Sequence, residues 1–93
     1  MRLISQSGQI DMPYEMSALS TGHNAAETEY HIRARFDENI GTLMATYSSQ
    51  EKVDKVMVML REYYAYFEKC KINPRYADDE PTFFFKFPQD SEV

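Results

Sequence analysis

Residues 51–71 read EKVDKVMVMLREYYAYFEKCK, and their apolar side chains recur too often for the single stripe of an ordinary surface helix. At about 100° per residue, Val53, Val56, Met57, Leu60, Tyr64 and Phe67 form one apolar line. That line is expected to pack on a sheet. Met59, Tyr63, Tyr66 and Cys70 form a second line beside it, while Arg61, Glu62, Glu68 and Lys69 take the opposite side. Together the two lines cover about half the circumference, more than the ~100° that suffices for one sheet. A small domain rarely leaves contiguous Met and aromatic surface in water, so the second line is expected to meet another subunit or a ligand. The alternative is that residues 72–81 fold back over it. Ser48 stands three residues before Glu51, the spacing of a capping box, and is expected to start the helix.

Outward from the helix, the pattern changes to period two. In TEYHIRARF (28–36), Tyr30, Ile32, Ala34 and Phe36 share one face, with Glu29, His31, Arg33 and Arg35 on the other. TLMATY (42–47) follows after a short loop ending at Gly41, so the two read as a hairpin. Toward the amino end, MRLIS is a strand and residues 9–14 alternate around Ile10, Met12 and Tyr14. Pro13 cannot donate to a ladder, which suits an edge strand. EMSALS (15–20) is a weakly patterned strand, and TGHNAAE (21–27) a turn-rich break. After the helix, Phe83, Phe85 and Phe87 share one face of a closing strand, with Phe84 on the other, placed centrally or beside the first strand. Strands with polar alternate faces joined by short turns indicate an antiparallel sheet with one solvated side. The expected fold is therefore α+β, with one long amphipathic helix on one face of an antiparallel sheet of four or five strands. Residues 1–88 form the single domain, and residues 89–93 a disordered tail.

Composition bounds the function. The chain has 93 residues, with 43% apolar and 14% aromatic, which describes one globular domain whose stability benefits from subunit association. Ten Lys and Arg against fifteen Asp and Glu give a net charge of -5, which repels the phosphates that dominate nucleic-acid affinity, so a nucleic-acid polymer is not an expected partner. No segment approaches the ~20 apolar residues of a membrane span and no apolar leader run is seen, so the protein is read as cytoplasmic. Cys70 is the only cysteine, read as a helix-end packing residue, and His23 and His31 lack metal-ligand spacing. No metal or cofactor is expected. With no glycine-rich phosphate loop, no GxSxG elbow and no paired carboxylates outside loops, no enzyme is expected either.

His31, Arg33 and Arg35 on one strand face are the candidate ligand contacts, because guanidinium forks suit phosphate and stay charged at any cellular pH. Tyr63, Tyr66 or Phe84 could stack on a base. The same pattern fits a solvated face whose arginines pair with neighbouring carboxylates. Met59, Tyr63, Tyr66 and Cys70 are the candidate oligomer interface.

Three segments carry a resemblance: MRLISQSGQIDMPYE, with spacing ISQxGxIDxPYE; YSSQEKVDKVMVMLREYY, with spacing YSSxEKxxKVMxMLRExY; and FFFKFPQD, with spacing FxFPxD. They resemble small proteins carried by phages and mobile elements of Firmicutes, over about half the chain, but not from Ser20 to Asn39. The resemblance implies a phage or prophage accessory protein in a bacterial host cell. By analogy of size, assembly and setting with oligomeric anti-defence sponges, among them anti-Thoeris sponges, it implies sequestration of a nucleotide-like signal by a homo-oligomer. The alternative is an acidic inhibitor of a host defence protein or nuclease, suggested by the charge and by DDE and QDSE.

Overall fold

The computed structural model describes residues 1–36, 41–72 and 84–93. Strands β1 (Arg2–Ile4), β2 (Asp11–Pro13), β3 (Ser17–His23), β4 (Tyr30–Phe36) and β5 (Thr42–Tyr47) precede helix α1 (Gln50–Ile72), and β6 (Phe84–Lys86) and a 3-10 turn at Asp90–Glu92 follow it. The class is α+β with one long helix. The six strands do not form one sheet of four or five strands, however; they form two three-stranded sheets, ordered β2-β1-β6 and β3-β4-β5. Nor is every pair antiparallel, since β6 runs parallel to β1 with Phe85 opposite Leu3.

The reason for the division lies at Gln6. Its backbone N–H donates to Met44 O at 2.8 Å, which brings the chain leaving β1 alongside β5. One residue pair on, the side chain takes over from the backbone: Thr46 N–H donates to Gln6 Oε1 at 3.1 Å, and Gln6 Nε2 donates to Thr46 O at 3.2 Å. A flanking strand would need those same Thr46 groups. The ladder between the sheets therefore ends at the amide that joins them.

The hairpin of β4 and β5 forms as its alternation implies, with Tyr30 opposite Tyr47. It contains a bulge: Ile32 faces Ala45 while Arg33 faces Leu43, so Met44 is the extra residue, and Met44 and Ala45 are both buried. A bulge lets consecutive side chains leave strict alternation. Strand β3 is longer than its sequence suggests. It reaches His23, pairing Ser17 to His23 with Phe36 to Tyr30, inside the stretch expected as a break. The turn begins only at Asn24, whose Oδ1 accepts from the backbone of Thr28 at 2.9 Å and Glu29 at 3.1 Å. Asx side chains of this kind imitate a backbone turn.

Val53, Val56 and Leu60 of α1 are buried with Ile32, Ala34 and Met44, each contributing ~1.5–3 kcal/mol by removal from water. The same core includes Leu3 and Phe85 of the other sheet, toward which two helix rings also pack: Tyr63 lies 5.9 Å from Phe85 and Tyr64 4.5 Å from Tyr14, centroid to centroid. The wide apolar face thus has an occupant within the chain, because the helix spans two sheets. Met59 and Tyr66 stay about half exposed, whereas Cys70 is buried. The expected cover from residues 72–81, and the place of Phe83, lie outside the described residues apart from the helix end.

The helix begins one residue later than a Ser48 cap would place it. Ser49 Oγ accepts from Lys52 N–H at 3.3 Å, and the Ser48 N–H, which a capping box would offer to Glu51, donates to Asp90 Oδ1 at 2.8 Å. Asp90 belongs to the segment read as a disordered tail, which here turns back through a 3-10 helix capped by reciprocal Gln89 and Glu92 contacts. Lys52 Nζ donates to Asp90 O at 2.8 Å and lies 3.4 Å from its carboxylate. The Ser48 N–H, followed by the Ser48 hydroxyl and Lys52, holds the Asp90 carboxyl below its ordinary value of 3.8. A depressed carboxylate stabilises the fold above its unfolded-state value and loses that contribution as pH falls through the folded value. Asp90→Asn should therefore melt below the wild type at pH 7, with the difference shrinking as pH falls below 3.8 and through the lower folded value. Paired thermal melts across pH check this, and a constant difference would contradict it.

Candidate anion-binding face

Alternation along β4 turns Ile32 and Ala34 into the core beneath α1 and leaves Arg33 and Arg35 exposed on the opposite face of the sheet. What surrounds them is set by register. On β3, Arg33 stands opposite Ser20 and Arg35 opposite Ala18. These small partners leave the arginines standing over a low floor. The result is a depression of about 320 Å³ lined by Ala18, Leu19, Ser20, Arg33, Arg35 and Gly41.

Gly41 closes one side. Arg33 Nη1 donates to Gly41 O at 3.2 Å, and a Cβ at Gly41 would stand 3.3 Å from Arg33 Cβ. The absent side chain is thus what admits the arginine stem. One guanidinium nitrogen is spent on that carbonyl, leaving further donors available. Among the described residues neither Arg33 nor Arg35 is in an ion pair; the three bridges found join the amino terminus to Glu15, Arg2 to Asp11 and Lys52 to Asp90. Asp37 and Glu38 lie outside the described residues.

No protein-family model matches the chain, and no curated protein or solved structure does. The site's chemistry therefore rests on its own residues.

The candidate contacts are brought together only in part. Arg33 and Arg35 share the depression. His31 lies further along β4, between Gly22 and Thr46, and its buried Nδ1 has no hydrogen-bond partner. Tyr63 and Tyr66 are on the helix, in the layer on the other side of the sheet, and Tyr63 is engaged with Phe85. Phe84 is 53% exposed on β6 of the other sheet. Within one chain, these rings cannot stack on a base held by the arginines. Sequence reading missed Ala18, Ser20 and Gly41, whose contribution is small size; the only signal would have been small residues in register with the two arginines.

A second hollow, of about 430 Å³, lies between the start of β3 and α1, lined by Tyr14, Glu15, Ser17, Leu19, Met57, Arg61 and Tyr64. Its lining carries both the Arg61 cation and the Glu15 carboxylate, the latter bridged to the amino terminus at 2.7 Å. A hydrogen bond to Glu68, before burial and nearby carboxylates, pushes the Tyr64 phenol up to about 12. With a neutral phenol and mixed charge, this hollow suits an anion less well than the arginine face. The described residues contain no group of three or more His, Cys, Asp or Glu that could hold a metal ion, and no helix long and apolar enough to cross a membrane.

Proposed function

We propose that the chain binds and sequesters a small anionic, nucleotide-like molecule at the Arg33/Arg35 face, acting without chemistry and as a homo-oligomer in the cytoplasm of a bacterial host. The observation that carries the reading is the depression itself: two exposed guanidinium groups over a floor of Ala18 and Ser20, in a chain of net charge -5. Charge-assisted forks of this type recognise phosphate oxygens in pairs. A solvated strand face would not need small residues in register with both arginines.

The setting comes from the resemblance of the ISQxGxIDxPYE, helix and FxFPxD segments to phage and mobile-element proteins. Sequestering a nucleotide signal there counteracts host antiviral defence. The acidic-inhibitor reading draws less support. Of the QDSE carboxylates, Asp90 is held by Ser48 and Lys52, and Glu92 accepts from Gln89 N–H at 2.8 Å. The DDE stretch lies outside the described residues.

Thermal-shift screening against cyclic nucleotides and nucleoside phosphates, followed by calorimetry, tests the proposal. Arg33→Ala and Arg35→Ala should each weaken binding roughly ten- to hundredfold, the loss of one charge-assisted contact at ~1.5–3 kcal/mol, with melting close to wild type. Unchanged affinity in both variants would remove the site.

A further inference from the structure

The depression is open on the side of β3, and β3 is itself an unpaired edge. It is the outer strand of its sheet, and among the described residues no backbone hydrogen bond reaches it from beyond β4 except Ser17 N–H to Tyr14 O. Edge strands are ordinarily guarded by Lys, Pro, inward charges or bulges. SALSTGH, seven residues long, has none of these. In a chain carrying 25 charged residues, ten basic and fifteen acidic, this uncharged edge is where two like-charged copies can meet without opposing charges.

We propose that β3 pairs antiparallel with β3 of a second copy about Ser20, joining two Arg33/Arg35 depressions into one twofold-symmetric trough for an anion with two phosphate groups. In this register Ser20 opposes Ser20, Leu19 opposes Thr21, and Ala18 opposes Gly22. Odd-numbered residues meet odd-numbered ones, so both helices stay on one side of a continuous six-stranded sheet and all four arginines lie on the other. The floor stays low because each small residue meets another. Successive strands are ~4.8 Å apart, which sets the two β4 strands roughly 14 Å apart. A cyclic dinucleotide, whose phosphates are related by its own twofold axis, has the symmetry of such a trough, and one molecule would serve two chains. The ligand half of this inference rests on the proposed function; the strand pairing does not.

The experiment separates the two. Light scattering should give the wild type twice the chain mass of 10.9 kDa, and Thr21→Lys, which places a charge on the edge away from the arginines, should give a folded monomer. Ser20→Cys should form an interchain disulfide on mild oxidation, the native Cys70 being buried. Ala18→Cys should not, since the two copies of position 18 would lie ~13 Å apart at ~3.3 Å per residue, beyond the ~7 Å limit between Cα atoms. Calorimetry with cyclic di-AMP should show one molecule per two chains, and AMP should bind at least tenfold more weakly. A monomeric wild type, a dimer that Met59→Lys splits and Thr21→Lys does not, or a dimer that Ser20→Cys fails to crosslink would overturn the pairing. Crosslinking with one cyclic di-AMP per single chain would overturn the shared trough. Crosslinking with no binding of either nucleotide would overturn the anion reading and leave the pairing standing.

Discussion

Phe87→Ala should lose ~3–5 kcal/mol of stability, the cost of emptying a phenylalanine site in a packed core. For a domain of this size that lowers the melting temperature by at least ~12 °C. The site is closed: Phe87 is 1% exposed, and its ring meets that of Phe85 edge to face with centroids 5.4 Å apart. Its N–H also donates to Ile4 O at 3.1 Å, continuing the parallel pairing of β6 with β1 beyond the short ladder. Alanine keeps that bond, so the loss isolates packing. Phe84→Ala, on the exposed face of the same strand, should change melting by only a few degrees. Chemical denaturation of both variants gives the comparison; similar losses would mean that β6 is not seated as described.

The contrast between Phe84 and Phe87 was readable from period-two alternation alone, and so was the outward placement of Arg33 and Arg35. Alternation reports which side of a strand faces the core whenever that core is close-packed. It does not report which sheet a strand joins. Tyr63 meets Phe85, and Tyr64 meets Tyr14, across long sequence intervals, and such contacts show that the helix serves two sheets; without them, the width of the apolar face looks like surplus. Strand β3 was half legible for a related reason. All seven of its residues are exposed or half exposed, so burial imposes no pattern on SALSTGH, and its length is set by pairing with β4. The Met44 bulge likewise follows from tertiary demand, since Met44 and Ala45 are both drawn inward.

The segments that carry the resemblance have their physical explanation away from the arginine face. Gly8 sits at φ 81, a conformation that a side chain would strain, and opens the β1–β2 turn. Ser5 Oγ accepts from Ile10 N–H at 3.1 Å within that turn. From the other end of the chain, Pro88 O accepts from the Tyr47 hydroxyl at 2.8 Å. Burial, followed by the charges of Asp90 and Glu92, raises the pKa of that phenol, which stays a neutral donor. The two ends thus converge on the junction between the sheets, and Gln6 is its centre.

Gln6→Ala should accordingly destabilise the fold by ~2–4 kcal/mol, although the residue is polar and only half buried. Its side chain takes part in three hydrogen bonds: Nε2 donates to Thr46 O and to Pro88 O, the latter at 3.0 Å, and Oε1 accepts from Thr46 N–H. Alanine removes all three and leaves the Thr46 N–H, in a part-buried position, without its acceptor, a cost beyond the bonds themselves. Gln89 Nε2 still reaches Gln6 O at 2.7 Å, because that contact is to backbone. The expected fall in melting temperature is roughly 8–30 °C. Gln6→Glu discriminates a hydrogen-bond role from a space-filling one. It preserves shape and the acceptor for Thr46 but turns a carboxylate toward two carbonyl oxygens, so it should be as damaging as alanine at pH 7. Protonation restores one O–H donor, and the glutamate variant should then recover part of its deficit in mild acid while the alanine variant does not. A Gln6→Glu protein that melts like the wild type at pH 7 would show that the amide fills space without joining the two sheets.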